Sequence, residues 1–427
     1  MTAAAAERDY IRHNTGVHAW IDTTFGIVAL LLAVQFMTGI LLAFYYVPAV
    51  DHAYTTVAFI EKVLSSGSWI RSLHHYGSQW LTLFLFLHVV RLFFTRAYVD
   101  RNTQWIASIV LLGLIMAAGG TGYSLPWDAR AFFSTRVAEG LLGGLPFVGR
   151  NARLWLLGGS EISTITLSRF FALHVLVIPG LIVAVIVWRR SRSRWPSLKR
   201  NAIAAGVVFI ALALWSLKFH APLGPSTTEM PADYLPRPGA QFLWLYQSLK
   251  YVPGGLGSIV GLVVPGIALL ALVLLRWLRR ARLIGGLILG SATFLIVAMT
   301  TAAYVSDYKN PRIREQLAQE AAARAAPFTP VLMNVSNTGG IDGGSPVLYI
   351  KWCVNCHGRN GEGAQQGQLR FPPLTGVGTK PRRTVDDIVA LLKNPAAYDL
   401  QPPMRSFSEK LSEPEMKEIA EWVHRLR

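Results

Sequence analysis

The feature that most limits what this chain can become is a set of seven apolar stretches, at about 25–47, 75–95, 105–124, 170–190, 201–219, 256–277 and 283–304. Each is close to the ~20 residues that an α-helix needs to cross about 30 Å of hydrocarbon. Backbone N–H and C=O groups find no water there, so such a segment must satisfy them internally, as a helix. The expected fold class is therefore all-α: a polytopic transmembrane bundle of about seven spans, followed by a small soluble α-helical domain. Composition agrees, with 52% hydrophobic and only 15% charged residues. The first 24 residues are polar and aromatic without an apolar core, so the run from Phe25 reads as a retained span rather than a cleaved signal.

A net charge of +17 invites a nucleic-acid reading. The basic residues, however, gather in short connections: Arg91 with Arg96 to Arg101, Arg189 to Arg200, and Arg276 to Arg282. That is the pattern of cytoplasmic loops, and no nucleic-acid partner is expected. With those loops inside, seven crossings carry everything after Tyr304 to the outside. Residues 305–344 contain KNPRIREQLAQEAAARAA followed by Asn, Gly and Ser, and read as a partly helical linker without a core of its own. Unstructured, it would span on the order of 35 Å. Residues 345–427 form the soluble domain, on the periplasmic side of a bacterial cytoplasmic membrane.

The chain has two cysteines, and both lie in CVNCH at 353–357. The C-x-x-C-H spacing lets Cys353 and Cys356 attach to the vinyl groups of a haem while His357 ligates its iron. A redox dithiol is the alternative for such a pair. The sixth ligand is expected at Met404, in the proline-marked QPPMRSF, just before a helix whose Ser412 and Glu415 form a capping box. Met416 and His424 compete for that role and fit better as helix residues. Residues 345–427 resemble a small single-haem class I cytochrome c, a family whose haem is attached outside the cytoplasm.

In the second span, His74 and His88 lie fourteen residues apart, which advances a helix by about 21 Å and returns to nearly the same face. Two histidines on one interior face favour haem or metal ligation over simple core packing. His75 points elsewhere. The fourth span offers His174, and fourteen and fifteen residues later Trp188 and Arg189 stand where a second histidine would be needed.

The stretches VQFMTGILLAFYY, WIRSLHHYG, FLHVVR, TGYSLPWD, TLSRFFALH and PRPGAQFLWLYQSLKYVPG resemble the cytochrome b subunit of quinol-oxidising cytochrome bc complexes, over about residues 15–305. The resemblance divides the membrane part into a haem-binding region with a fifth span, 1–220, and a C-terminal region, 221–304. It implies two haems b stacked across the membrane, each held by one histidine from the second and one from the fourth span. His74 and His174 match the outer pair, and His88 matches one ligand of the inner haem. It also implies glycines where helices approach the haem faces. Gly39 and Gly122 are present at the outer level, while Phe25 and Ser108 stand at the inner one and Gly26 is one position off. Arg71 would meet an outer-haem propionate.

The inner site is therefore expected to be empty or heavily altered, with His88 bonded to a neighbour and one haem b in the chain. The rival is a second haem b held by His88 alone or with His13 or His18, with Arg189 at a propionate. The family's outer quinol site uses a Pro-Glu-Trp-Tyr motif; this chain has Pro238-Gly239-Ala240-Gln241, with no carboxylate to accept a proton. Glu229 and Asp233 are the nearby acids. The expected function is a respiratory electron-transport subunit, relaying electrons between quinol or a partner redox protein and a soluble periplasmic carrier through an outer haem b and one covalent haem c. The alternatives are a membrane docking anchor for an external oxidoreductase, or a full Q-cycle subunit with unusual inner ligation. By resemblance the partners are a Rieske-type iron-sulfur protein, or another redox subunit, and a second copy of the chain in a dimer.

Overall fold

The computed structural model describes residues 24–192, 198–227, 234–328, 346–358, 361–366, 369–380, 383–398, 400, 404 and 406–426. His13, His18, Glu229 and Asp233 lie outside them. The chain forms two compact units, Met1–Pro330 and Val331–Arg427.

Seven helices of the first unit are long and apolar enough to cross a membrane: α1 (Thr24–Ala43), α3 (Gly67–Phe94), α4 (Asn102–Tyr123), α7 (Thr164–Ser191), α8 (Leu198–Lys218), α10 (Gly254–Val273) and α11 (Ala281–Lys309). Short helices α2 (Ala53–Lys62), α5 (Ala129–Gly143), α6 (Gly149–Leu157) and α9 (Ala240–Leu249) lie between them. The chain is a multi-pass membrane protein, and its spans sit where the hydropathy of the sequence puts them. α3 and α11 run on beyond their apolar stretches, because helical hydrogen bonding does not stop at the edge of the hydrocarbon.

α1 packs on α3 and α8, and α7 packs on α4. Leu31, Leu81, Ile178 and Leu212 fill the space between these helices and are at most 6% exposed. A second core, with Val89, Leu92, Trp105 and Leu275, ties the other ends of α3 and α4 to α10 and α11. There the Trp105 indole N–H donates to the Leu272 carbonyl at 2.7 Å. Gly26, off the expected haem face, has a packing reason of its own: a Cβ there would lie 2.5 Å from Asn201 Cβ on α8.

The stretch expected to open a partly helical linker is helical and packs on the first unit. α11 continues to Lys309, Asn310 caps a further helix, α12 (Pro311–Ala325), and its side chain accepts from Arg312 N–H at 3.0 Å. Asn before Pro is a strong helix start, since Pro at the first turn sacrifices no bond. α12 lies across the surface that carries α2 and α5. Buried Glu320 pairs with Arg130 and accepts from Tyr234 Oη at 3.0 Å. Gln316 bonds the backbone of Leu235 twice, at 2.9 and 3.1 Å. Lys62 donates to the Ala323 carbonyl at 2.9 Å, and Phe328 packs edge-on to Phe59.

The second unit is built from α13 (Val347–Trp352), α14 (Val354–His357), a two-stranded hairpin, β1 (Ala364–Gln366) and β2 (Leu369–Phe371), and helices α15 (Val385–Lys393) and α16 (Glu413–Arg425). Ser412 and Glu415 form the expected capping box on α16. Its Met416, Ile419, Ala420 and Val423 face a core that includes Tyr349, Cys353 and Leu392. Among the described residues the fold is all-α in both units apart from this hairpin.

Candidate functional site

His74 on α3 and His174 on α7 face each other with ring centroids 6.0 Å apart. Two imidazoles bonded to one metal at about 2 Å each have ring centres about 6 Å apart. Their hydrogen bonds decide which nitrogen is available. The Thr38 hydroxyl donates its only proton to the Val34 carbonyl at 2.6 Å, so at 2.9 Å from His74 Nδ1 it must accept. His174 Nδ1 lies 2.9 Å from the Ala118 carbonyl, which can only accept. Both rings therefore carry their proton on Nδ1 and present the Nε2 lone pair, the state in which a histidine ligates a metal with its other nitrogen anchored to the protein.

The local backbone is shaped around this pair. His174 sits in a π-helical turn, Leu173–Val177, inside α7; such turns re-aim a side chain relative to regular helix and recur at functional positions. Gly39 and Gly122 face the imidazoles themselves, rather than only the space beside them. A Cβ at Gly39 would lie 3.1 Å from His74 Cε1, and one at Gly122 only 2.4 Å from His174 Cε1. This donor set, two neutral imidazoles with anchored Nδ1 atoms flanked by glycines, fits a bis-histidine haem.

Two neighbouring residues of α3 are engaged elsewhere, His75 as expected and Arg71 against expectation. His75 Nε2 accepts from Gln79 Nε2 at 3.0 Å on its own helix. Arg71, expected at a propionate, is buried and committed to protein groups: Nε donates to Glu61 at 2.7 Å, and its terminal nitrogens donate to the carbonyls of Ala221 and Pro222 at 2.7–3.2 Å. It fastens the loop after α8 to α3.

The inner level differs in kind. His88 Nδ1 meets Thr24 Oγ1 at 2.8 Å, and that oxygen also accepts from Arg91 at 3.1 Å. Arg189 turns inward, 4% exposed, with Cζ 4.0 Å above the Phe25 ring, whose centroid is 6.2 Å from that of His88. Trp188 faces outward at 40% exposure. Ser108 Oγ donates to the Gln104 carbonyl at 2.8 Å.

Of the altered quinol loop, Pro238 and Gly239 lead into α9, and Ala240 is exposed at its first turn. Gln241 lays its amide against α4, so that a Cβ at Gly119 would lie 2.6 Å from Gln241 Nε2. Its Oε1 is buried and has no hydrogen-bond partner among the described residues. Tyr123 Oη donates to the Arg237 carbonyl at 3.2 Å beside it. Two carboxylates border this loop, both from the stretch expected to be linker: Asp307, which pairs with Arg237 at 2.6 Å, and Glu320. For Glu320 the one signal was its place four residues after Gln316 on a helix with a strong start.

In the second unit, Cys353 is buried and Cys356 half-buried. Burial, with Cys356 beside it, pushes the Cys353 thiol up to about 12. A redox dithiol needs the opposite shift. His357 Nδ1 donates to the Pro372 carbonyl at 3.0 Å, leaving Nε2 as the ligating atom, and burial holds its pKa below the usual value. Met404 packs half-buried against the core that contains Cys353. Its competitors have other places: Met416 is 3% exposed inside the core and His424 is exposed.

Comparison with known proteins matches both units. The family profile described as Cytochrome b/b6/petB covers residues 14–189, and that described as Cytochrome C oxidase, cbb3-type, subunit III covers 346–423. A cytochrome b6 of Heliomicrobium gestii is 36% identical over 38% of this chain and 76% of its own length. The menaquinol:cytochrome c reductase cytochrome b subunit of Geobacillus thermodenitrificans is 33% identical over 42% of this chain and 83% of its own. Among solved structures, a chain of a hyperthermophilic respiratory Complex III overlaps 67% of this chain and 91% of itself, with TM-score 0.47 and 17% identity.

Proposed function

Because this chain belongs to the cytochrome b/b6 family, we propose that it is the cytochrome b of a bc-type quinol:cytochrome c reductase, with a cytochrome c domain fused to it. Family and domain together imply haem b in the membrane unit and covalent haem c in the soluble one. The finer reading is an outer-side relay with one haem b, held by His74 and His174, and one haem c, held by Cys353, Cys356, His357 and Met404. The observation that carries it is the pair of facing imidazoles, both with Nδ1 anchored and both against a glycine.

Bound there, the haems supply one-electron chemistry between quinol and a soluble periplasmic acceptor. The chain's own residues do the rest. Thr38 and the Ala118 carbonyl hold the two imidazoles in the ligating tautomer, and the apolar core excludes water around them. At the outer loop, Gln241 Oε1 is an acceptor for a quinol hydroxyl but not a base. Both cysteines are needed for haem c, so an iron-sulfur cluster of the Rieske type would have to come from a partner subunit. The second unit would then face the periplasm, and a dimer is the family's arrangement.

The test is the ratio of haem b to haem c in the purified protein, from its pyridine haemochrome spectrum. One b per c is expected, and His174→Leu should remove the b signal while leaving c. A His174→Leu protein with its full haem b would refute the assignment.

A further inference from the structure

Away from the haem sites, a cavity of 500 Å³ runs as a groove between α3 and α11. α3 contributes Val90, Phe93 and Phe94 to its wall, and α11 contributes Gly286, Gly290 and Val297. Phe94 and Phe294 stand on its rim, 73% and 74% exposed. The two glycines leave its floor bare: a Cβ at Gly290 would meet nothing within 4 Å, and one at Gly286 would meet only Phe93, at 3.9 Å. The lining has one hydroxyl, Thr293, and it donates to the Leu289 carbonyl of its own helix at 2.7 Å. An occupant therefore finds apolar contact along the groove and no polar partner. From Gly286 to Val297 the groove follows about 16 Å of helix, close to half of the about 30 Å hydrocarbon core and so to the depth of one leaflet. Spread over that length, 500 Å³ gives a mean cross-section of about 30 Å². A helix, about 10–12 Å across with its side chains, needs about 80–110 Å². The groove takes a single extended chain.

Charge lies at one end only. Arg282 sits one turn before Gly286 on the same face of α11. Arg276, Arg279 and Arg280 precede it, and the connection from α3 to α4 adds Arg96 and Arg101. The two connections meet, since Ala97 and Tyr98 share a core with Leu275 and Ala281. Together they carry these six arginines against one acid, Asp100. None of the six is ion-paired among the described residues. Three of them, Arg279, Arg280 and Arg282, stand at the start of α11, where a helix dipole favours anions rather than cations. Toward the other end, α11 has no charged residue from Leu283 to Ser306. Placement of basic loops on the cytoplasmic side accounts for the sign of this cluster. It does not account for an apolar groove that ends among the arginines.

We infer that this groove binds an anionic phospholipid, with one acyl chain laid along Gly286 and Gly290 and the phosphate among the arginines led by Arg282 and Arg96. Guanidinium and phosphate form paired, charge-assisted hydrogen bonds. Bilayer hydrocarbon is as apolar as the groove, so the chain gains little by leaving it. The head therefore supplies the affinity, and the groove fixes where the lipid lies.

The experiment is titration of the delipidated full-length protein in detergent with dioleoyl phosphatidylglycerol or dioleoyl phosphatidylcholine, with lipid bound per chain read by native mass spectrometry. One phosphatidylglycerol should bind at least about tenfold more tightly than phosphatidylcholine. Arg280→Gln with Arg282→Gln should weaken it by about 30-fold, at about fivefold for each arginine. Gly290→Leu, which fills the floor of the groove, should weaken it by about tenfold, whereas Leu287→Phe, at an exposed position outside the lining, should leave it unchanged. The haem b to haem c ratio reports the fold of each variant; if Gly290→Leu lowers that ratio, Gly290→Ala takes its place, with a smaller loss expected. Equal binding of the two lipids, or phosphatidylglycerol binding unmoved by the groove and arginine variants, as for lipid that merely surrounds the protein, would overturn the proposal. So would a Gly290→Leu protein that loses a partner subunit or a second copy while its lipid binding stays intact.

Discussion

Adding one methyl group at Gly122 should remove haem b from this protein, whereas the same change at Gly39 should not. The new Cβ at position 122 would lie 2.4 Å from His174 Cε1 and 2.8 Å from Nδ1. Carbon atoms in contact rest about 3.5–4.0 Å apart, so the ring must retreat by about 1 Å. It cannot do so and keep its bond to the Ala118 carbonyl. Overpacking costs about 1–3 kcal/mol and the lost hydrogen bond about 1 kcal/mol more. That total, about 2–4 kcal/mol, corresponds to roughly 30- to 700-fold weaker retention of the haem. At Gly39 the contact is 3.1 Å to His74 Cε1, and a shift of a few tenths of an ångström relieves it. Covalent haem c is the internal standard: the b to c ratio should collapse in Gly122→Ala and stay near wild type in Gly39→Ala. Full haem b in Gly122→Ala, or equal losses in both, would refute this account of the pocket.

Other outcomes follow from the same geometry. Thr38→Val should lower haem b occupancy by about tenfold, since it removes the acceptor that keeps His74 Nδ1 protonated; Thr38→Ser should restore it, and the haemochrome ratio reads both. Met404→Ala should leave haem c covalently attached but open its sixth position, seen as carbon monoxide binding to the reduced protein. Glu320→Ala breaks a buried ion pair, at a cost of about 3–5 kcal/mol to the local fold. Trypsin should then cut at Arg312, Arg314 or Arg324 far faster than in the wild type, and an Arg130→Met, Glu320→Met double variant should be largely protected.

The spans were legible because hydrocarbon imposes one requirement on every residue of a crossing helix. The haem c motif was legible because its chemistry is local: Cys353, Cys356 and His357 are neighbours in sequence, and the Ser412–Glu415 capping box lies within one helical turn. The pairing of His74 with His174 needed the resemblance, because spacing within α3 alone left His88 an equal candidate. What separates these histidines is the partner of each Nδ1: Thr38 and the Ala118 carbonyl for the outer pair, Thr24 for His88. Those partners come from other helices, and no periodicity encodes them. Glu320 was hidden for a related reason. A glutamate among KNPRIREQLAQEAAARAA reads as a solvated helix residue until Arg130 and Tyr234 arrive from nearly two hundred and from eighty-six residues away.

That strap sets the last expectation, on the tether. Residues 305–344 looked like one connection of forty residues, but α11 and α12 hold the chain to the first unit as far as Phe328. Between Phe328 and Pro346 the chain has 17 residues, and covalent geometry alone limits the distance they can cover to about 60 Å. Release of the strap by Glu320→Ala adds roughly 20 residues to this tether. Effective concentration falls as about the −3/2 power of tether length, so electron transfer from the membrane unit to haem c should slow about threefold. Inserting a Gly/Ser segment of equal length after Phe328, with the Arg130–Glu320 pair intact, should slow it equally. Stopped-flow reduction of haem c by quinol reads both. If the insertion slows transfer and strap release does not, the strap is not what limits the tether; if neither does, haem c reaches its donor by a route that the tether does not control.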